Sequence, residues 1–64
     1  MMYSKTKYKI LIVEDQLNIR RILSKTLKVK NYQVLTTSNG REALKLLNFF
    51  LPNIIILDIM LPRC

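Results

Sequence analysis

Glu14, Asp15 and Asp58 are three of the four acidic residues in a 64-residue chain with a net charge of +7. Glu14-Asp15 directly follows the apolar run Ile10-Leu11-Ile12-Val13, and Asp58 directly follows Ile54-Ile55-Ile56-Leu57. Short unbroken apolar runs read as parallel strands buried on both faces, and acids at their carboxyl ends mark a ligand crevice. Two carboxylates ~4 Å apart repel by roughly 4 kcal/mol at an effective dielectric near 20, so three together need a compensating charge. A hard divalent cation supplies it. Magnesium takes oxygen ligands, typically one or two carboxylates together with phosphate oxygens and water. An Asp beside such an ion can act as a nucleophile toward phosphorus and form an aspartyl phosphate. Plainer roles exist for each half alone: Glu14-Asp15 could open a helix, and Asp58 could be a polar strand end.

The elements that must position these acids follow from the hydrophobic pattern. Lys9 to Val13 reads as the first strand. From Gln16 to about Lys30, Ile19, Ile22, Leu23 and Leu27 form one apolar stripe at helical spacing, with Arg20, Arg21, Lys25 and Lys28 on the outer face. The basic last turn suits the helix dipole, and Asn31 suits a left-handed cap. Tyr32 to Thr36 reads as a shorter, more polar edge strand. Ser38 or Asn39 caps a second helix over Arg41 to Phe50, with Ala43, Leu44 and Leu47 facing inward. Pro52 ends that helix, and Asn53 to Leu57 is the third strand. The order β-α-β-α-β predicts an α/β fold with a parallel sheet and right-handed crossovers. Strand order 2-1-3 places the helices on opposite faces and opens the crevice between strands one and three, whose ends carry the acids.

Composition narrows the function classes. Half the residues are apolar and 23% are charged, a globular balance. A chain of this length is one small domain, burying only roughly 60% of its unfolded surface. Its longest apolar runs are far short of the ~20 residues that cross a bilayer, and the basic start Met1 to Lys7 leads into a strand that ends in acids rather than a signal segment. A soluble intracellular protein with no membrane partner is expected. There is no histidine, which removes His-based general bases and any phosphohistidine on this chain. The single cysteine, Cys64, has no internal partner. The lysines are scattered without interleaved aromatics, as on a solvated face rather than a base-stacking platform. The abundance of Lys, Ile and Asn is consistent with an AT-rich genome.

Three segments carry a resemblance to a known family. Ile10 to Gln16 (ILIVEDQ), Thr36 to Leu44 (TTSNGREAL) and Pro52 to Pro62 (PNIIILDIMLP) resemble the receiver domain of two-component response regulators, in the same order and at the same separations. The match runs from about residue 9 to 63. It implies an incomplete flavodoxin-like fold: residues 1–8 a polar basic tail, and residues 9–64 a truncated receiver domain lacking its second half. The resemblance implies that Asp58 is the phosphoacceptor, taking a phosphoryl group from a sensor histidine kinase. Mg²⁺ would be held by Asp15, Asp58 and the backbone carbonyl of Met60, with Glu14 acting through water. Pro62 would shape the following loop, and α-helical Arg20 and Arg21 would lie on the kinase-docking face. The family's switch Ser/Thr and its active-site Lys fall in the half this chain lacks, so neither role is assigned here.

The Leu61-Pro62-Arg63 ending also resembles receivers that precede winged-helix transcription factors, including plastid-encoded ones. The resemblance therefore implies control of transcription, with DNA reached only through an output domain absent from this chain. It further implies a bacterial cytoplasm or a plastid stroma. This is a signalling module rather than a conventional enzyme. Two other classes remain open. An inactive remnant or interaction fragment would work without phosphotransfer, self-associating through the open apolar edge of strand three. A phosphohydrolase with an aspartyl nucleophile resembles an Asp-x-Asp pattern, and Met60 stands where its second Asp would be.

Overall fold

The computed structural model describes residues 8–57 and the backbone of Asp58. It contains β1 (Lys9–Glu14), α1 (Leu17–Val29), β2 (Gln33–Thr37), α2 (Gly40–Phe50) and β3 (Ile54–Asp58). The three strands are parallel in the order β2-β1-β3, as the alternation of elements requires. The register runs Ile10 with Val34 and Ile54, through Ile12 with Thr36 and Ile56, to Glu14 with Asp58.

β1 is the central strand, and its run from Ile10 to Glu14 is buried. Its alternating side chains divide the core in two. Leu11 and Val13 pack with Ala43 and Phe50 of α2, flanked by Leu35, Leu46 and Leu47. Ile10 and Ile12 pack with Val34, flanked by Leu23 and Leu27 of α1, Tyr32 and Ile56. The helices therefore cover opposite faces, and a continuous apolar β1 is the consequence of having two faces to fill.

Local signals set the helix ends. α1 closes in a paired C-terminal cap: the Tyr32 N–H donates to the Leu27 carbonyl at 3.2 Å and the Asn31 N–H to Lys28 at 2.9 Å. That closure puts Asn31 at φ 71°, a conformation Asn tolerates better than branched residues. Asn39 caps α2, its Oδ1 accepting the Glu42 N–H at 2.7 Å. The Thr37 hydroxyl donates to the Glu42 carboxylate and accepts the Asn39 N–H at 3.3 Å, binding the end of β2 to the start of α2. α2 ends at Leu51, which is left-handed at φ 53° before Pro52.

Several expectations for the core need correction. Ile19 and Ile22 of the α1 stripe are 37% and 64% exposed, Leu44 of α2 is 66% exposed, and the β3 run, expected to be buried on both faces, leaves Ile54, Ile55 and Leu57 exposed. The cause, among the described residues, is the width of the sheet. Both helices lie mainly over β1 and β2; of β3, Ile56 joins the α1-side core, while Ile55 and Leu57 border an open groove beside Leu44 and Leu47 of α2. A stripe wide enough for a broader sheet has only its Leu23 and Leu27 edge in contact here.

Candidate functional site

β1 and β3 end level with each other. Glu14 and Asp58 are Cα partners in the β1–β3 ladder, about 4.8 Å apart by the spacing of neighbouring strands. Asp15 follows at the carboxyl end of β1 and is exposed. This junction lies where the order reverses, with α1 and β2 to one side and β3 to the other. Ligands in open α/β sheets bind at such a switch point. The plainer reading of Glu14-Asp15 as the opening of α1 holds only in part: Glu14 belongs to β1 and the first turn of α1 holds no acid, but the Glu14 side chain accepts the N–H of the cap residue Gln16.

Glu14 is the least expected member. Its residue is 1% exposed, although carboxylates are rarely buried without a partner. Oε2 accepts the Gln16 main-chain N–H at 3.0 Å, supplying the N-terminus of α1 with the acceptor that the Gln16 side chain does not provide. Oε1 has no hydrogen-bond partner among the described residues. A buried, unpaired carboxylate oxygen is costly unless something offers it a cation or a donor. The Glu14 main-chain oxygen is held separately, by Arg20 Nη1 at 3.0 Å. The exposed Asp15 thus follows a strand end fixed from both its side chain and its backbone.

The donor set fits a hard divalent cation. Glu14 and Asp15 present only carboxylate oxygens, Asp58 is the strand partner of Glu14, and Glu14 Oε1 is buried and unpartnered. Among the described residues no group of three metal-ligating side chains forms by itself. The side chain of Asp58, Met60 and Pro62 lie outside the described residues, as do residues 1–7 of the expected tail.

Two contributions were not visible as site signals. Arg20 was read as an outward-facing basic residue, yet it reaches back to the strand end. Lys9, read as the start of the first strand and as one of the scattered, solvated lysines, donates from Nζ to the Phe50 carbonyl at 3.2 Å and lies 5.6 Å from the Phe50 ring centroid. It thereby caps the C-terminus of α2, which has no basic residue in its own last turn. Lys9 also brackets Asn53, whose Oδ1 accepts the Lys9 N–H and whose N–H donates to the Lys9 carbonyl, both at 2.8 Å. Neither contact could be read from spacing, because both join elements more than forty residues apart.

A parallel β2-β1-β3 sheet between two helices, with acids at its switch point, defines a partial flavodoxin-like fold. The model of the response regulator receiver domain matches residues 10–64, and the chain belongs to that family. It is 48% identical over 58 residues to a probable transcriptional regulator ycf27 of Guillardia theta, covering 91% of this chain and 23% of that protein. It is 46% identical over 57 residues to the Porphyra purpurea protein of the same description, covering 89% of this chain and 24% of that one. With the alkaline phosphatase synthesis transcriptional regulatory protein PhoP of Bacillus subtilis (strain 168) it shares 44% identity over 55 residues, 86% of this chain and 23% of PhoP. The chain spans about a quarter of the length of the curated relatives it matches. No solved structure matches it significantly. Among the described residues no helix is long and apolar enough to cross a membrane.

Proposed function

We propose that this chain is the phosphoacceptor portion of a response regulator, with Asp58 the acceptor and a sensor histidine kinase the donor. The observation that carries the reading is the pairing of Glu14 with Asp58 beside Asp15, with Glu14 Oε1 buried and unpartnered among the described residues. Asp15, Asp58 and the Met60 carbonyl would hold Mg²⁺, and Glu14 would support it through water. Bound there, the ion would neutralise charge on the transferring phosphoryl oxygens. An Asp58 carboxylate oxygen attacks phosphorus, the bond from phosphorus to the kinase imidazole nitrogen breaks, and an aspartyl phosphate forms. Glu14, held by Gln16 and by the Arg20 tether, keeps the β1 end in register with β3 during this step. The described relatives are transcriptional regulators, which supports an output on DNA through a separate domain, in a bacterial cytoplasm or a plastid stroma.

Incubation of a full-length version, carrying a complete receiver domain, with acetyl phosphate and Mg²⁺, followed by intact-mass measurement, tests the assignment. One added phosphoryl group, lost in Asp58→Ala and on removal of Mg²⁺, is the expected result. Equal labelling of Asp58→Ala rules out Asp58 as the acceptor. A second reading is favoured by the exposure of Ile54, Ile55 and Leu57 on β3: an interaction fragment that does not transfer phosphate. A folded chain that takes no label selects it.

A further inference from the structure

Asp15 stands one residue beyond the strand pairing. The β1 ladders end at Val13 with Thr37 and at Glu14 with Asp58, so among the described residues neither ladder includes Asp15. Its backbone is held from either side instead. The main-chain oxygen of Glu14, in the peptide unit that leads into Asp15, accepts from Arg20 Nη1 at 3.0 Å. The main-chain N–H of Gln16, in the peptide unit that leads out, donates to Glu14 Oε2 at 3.0 Å. Each peptide unit is a rigid plane that includes the flanking Cα atoms. Holding both planes restrains the φ and ψ of Asp15 while its exposed side chain stays out of both bonds.

We propose that Arg20 is a positioning residue for the divalent cation: through the Glu14 carbonyl it holds Asp15 ready for the metal before the metal binds. This inference rests on the reading of Glu14, Asp15 and Asp58 as a Mg²⁺ site, and adds to it a residue that acts through another. Arg20 suits the task. Its guanidinium is always charged and planar, with donors in a fixed fork, so the bond sets direction as well as distance. It is the fourth residue of α1, close enough to the helix start to reach back to the strand end. Leu23 and Leu27 of the same helix pack against the core of Ile10, Ile12 and Val34. The tether therefore ties Asp15 to a helix that is itself seated on the central strand.

Sign and size separate this role from a plain effect of charge. A guanidinium near a divalent cation repels it, so by Coulomb's law alone removing Arg20 strengthens binding. Lost preorganisation acts the opposite way. A residue whose backbone must order on binding weakens affinity by roughly five- to thirtyfold. Arg20 supplies one of the two restraints, and the Glu14–Gln16 bond survives without it, so a loss of about fivefold is expected. A merely structural contact moves affinity in neither direction, because a chain that is still folded presents the same site.

Isothermal titration of Mg²⁺ into a metal-free, full-length version carrying a complete receiver domain tests the role, with circular dichroism to confirm folding. Arg20→Ala is expected to bind Mg²⁺ about fivefold more weakly than the wild type. Arg20→Lys should recover part of that loss, because an ammonium keeps the charge and a donor without the fork. If Arg20→Ala loses its fold, Arg20→Lys is expected to show the same direction of change at smaller size. Lys25→Ala removes an equal charge from an exposed position on α1 and should bind as tightly as the wild type or slightly more so. Asn31→Val, strained at the opposite end of α1, should keep the wild-type affinity. A wild type that binds Mg²⁺, with Arg20→Ala equal to it or tighter, overturns the positioning role and leaves the metal site standing. Equal losses in Arg20→Ala and Asn31→Val also overturn it. A wild type that binds no Mg²⁺ overturns the metal site and this role together.

Discussion

Arg20 of α1 donates through Nη1 to the main-chain oxygen of Glu14 at 3.0 Å, so the helix holds the strand end that leads into Asp15. The contact spans the β1–α1 turn, which has no side-chain cap of its own from Gln16. Arg20→Ala removes a charged donor from a part-buried carbonyl, at a cost of about 1 kcal/mol. Urea unfolding followed by circular dichroism should show that loss. Arg20→Lys should recover only part of it, because a point ammonium lacks the planar fork of the guanidinium.

Leu11 and Leu44 show how unequally the apolar residues share the work. Leu11 is fully buried in the central strand, whereas Leu44 is 66% exposed. Leu11→Ala should cost about 2–5 kcal/mol, enough to unfold a domain of this size. Leu44→Ala should fall within about 0.5 kcal/mol of the wild type. Thermal melts of the two variants check the contrast, and equal losses would contradict the burial described here.

Much of this architecture was legible because it rests on local rules. The apolar run of β1 is covered on both faces as read, whereas that of β3 is a strand with Ile54, Ile55 and Leu57 exposed; alternation with helices gave the parallel pairing and the β2-β1-β3 order. Asn31 and Asn39 were readable as caps because each acts within its own turn. The strand-end acids followed from the same logic, and the register bears out their placement at one end of the sheet. What could not be read depends on the extent of the partner surface. Ile19, Ile22 and Leu44 sit at helical spacing for a core, but among the described residues they remain exposed. The roles of Lys9 and Arg20 were hidden for another reason. Long basic side chains look solvated in sequence, and their targets here are carbonyls, which carry no sequence signature.

Asn31 offers a test of the cap geometry. At φ 71° it occupies a region where glycine has no Cβ penalty and branched residues are strained. Asn31→Gly should be neutral or stabilising by a few tenths of a kcal/mol, while Asn31→Val should cost about 1–2 kcal/mol. The difference between the two unfolding midpoints is the measurement. A tolerated Val would mean that the Tyr32–Leu27 and Asn31–Lys28 closure is not what ends α1.

Glu14 gives the prediction that separates a structural carboxylate from a metal-linked one. Its Oε1 is buried and unpartnered among the described residues, while Oε2 accepts from Gln16. Without a cation, the buried charge is a net cost, so Glu14→Gln should raise stability in the presence of a chelator, by about 1–3 kcal/mol. With millimolar Mg²⁺ the order should narrow or reverse, because the wild type gains binding energy that the amide does not recover. Unfolding midpoints of both chains with and without Mg²⁺ resolve the question. A wild type indifferent to Mg²⁺, together with a destabilised Glu14→Gln, would make Glu14 a structural anchor for the N-terminus of α1 and remove it from the metal site.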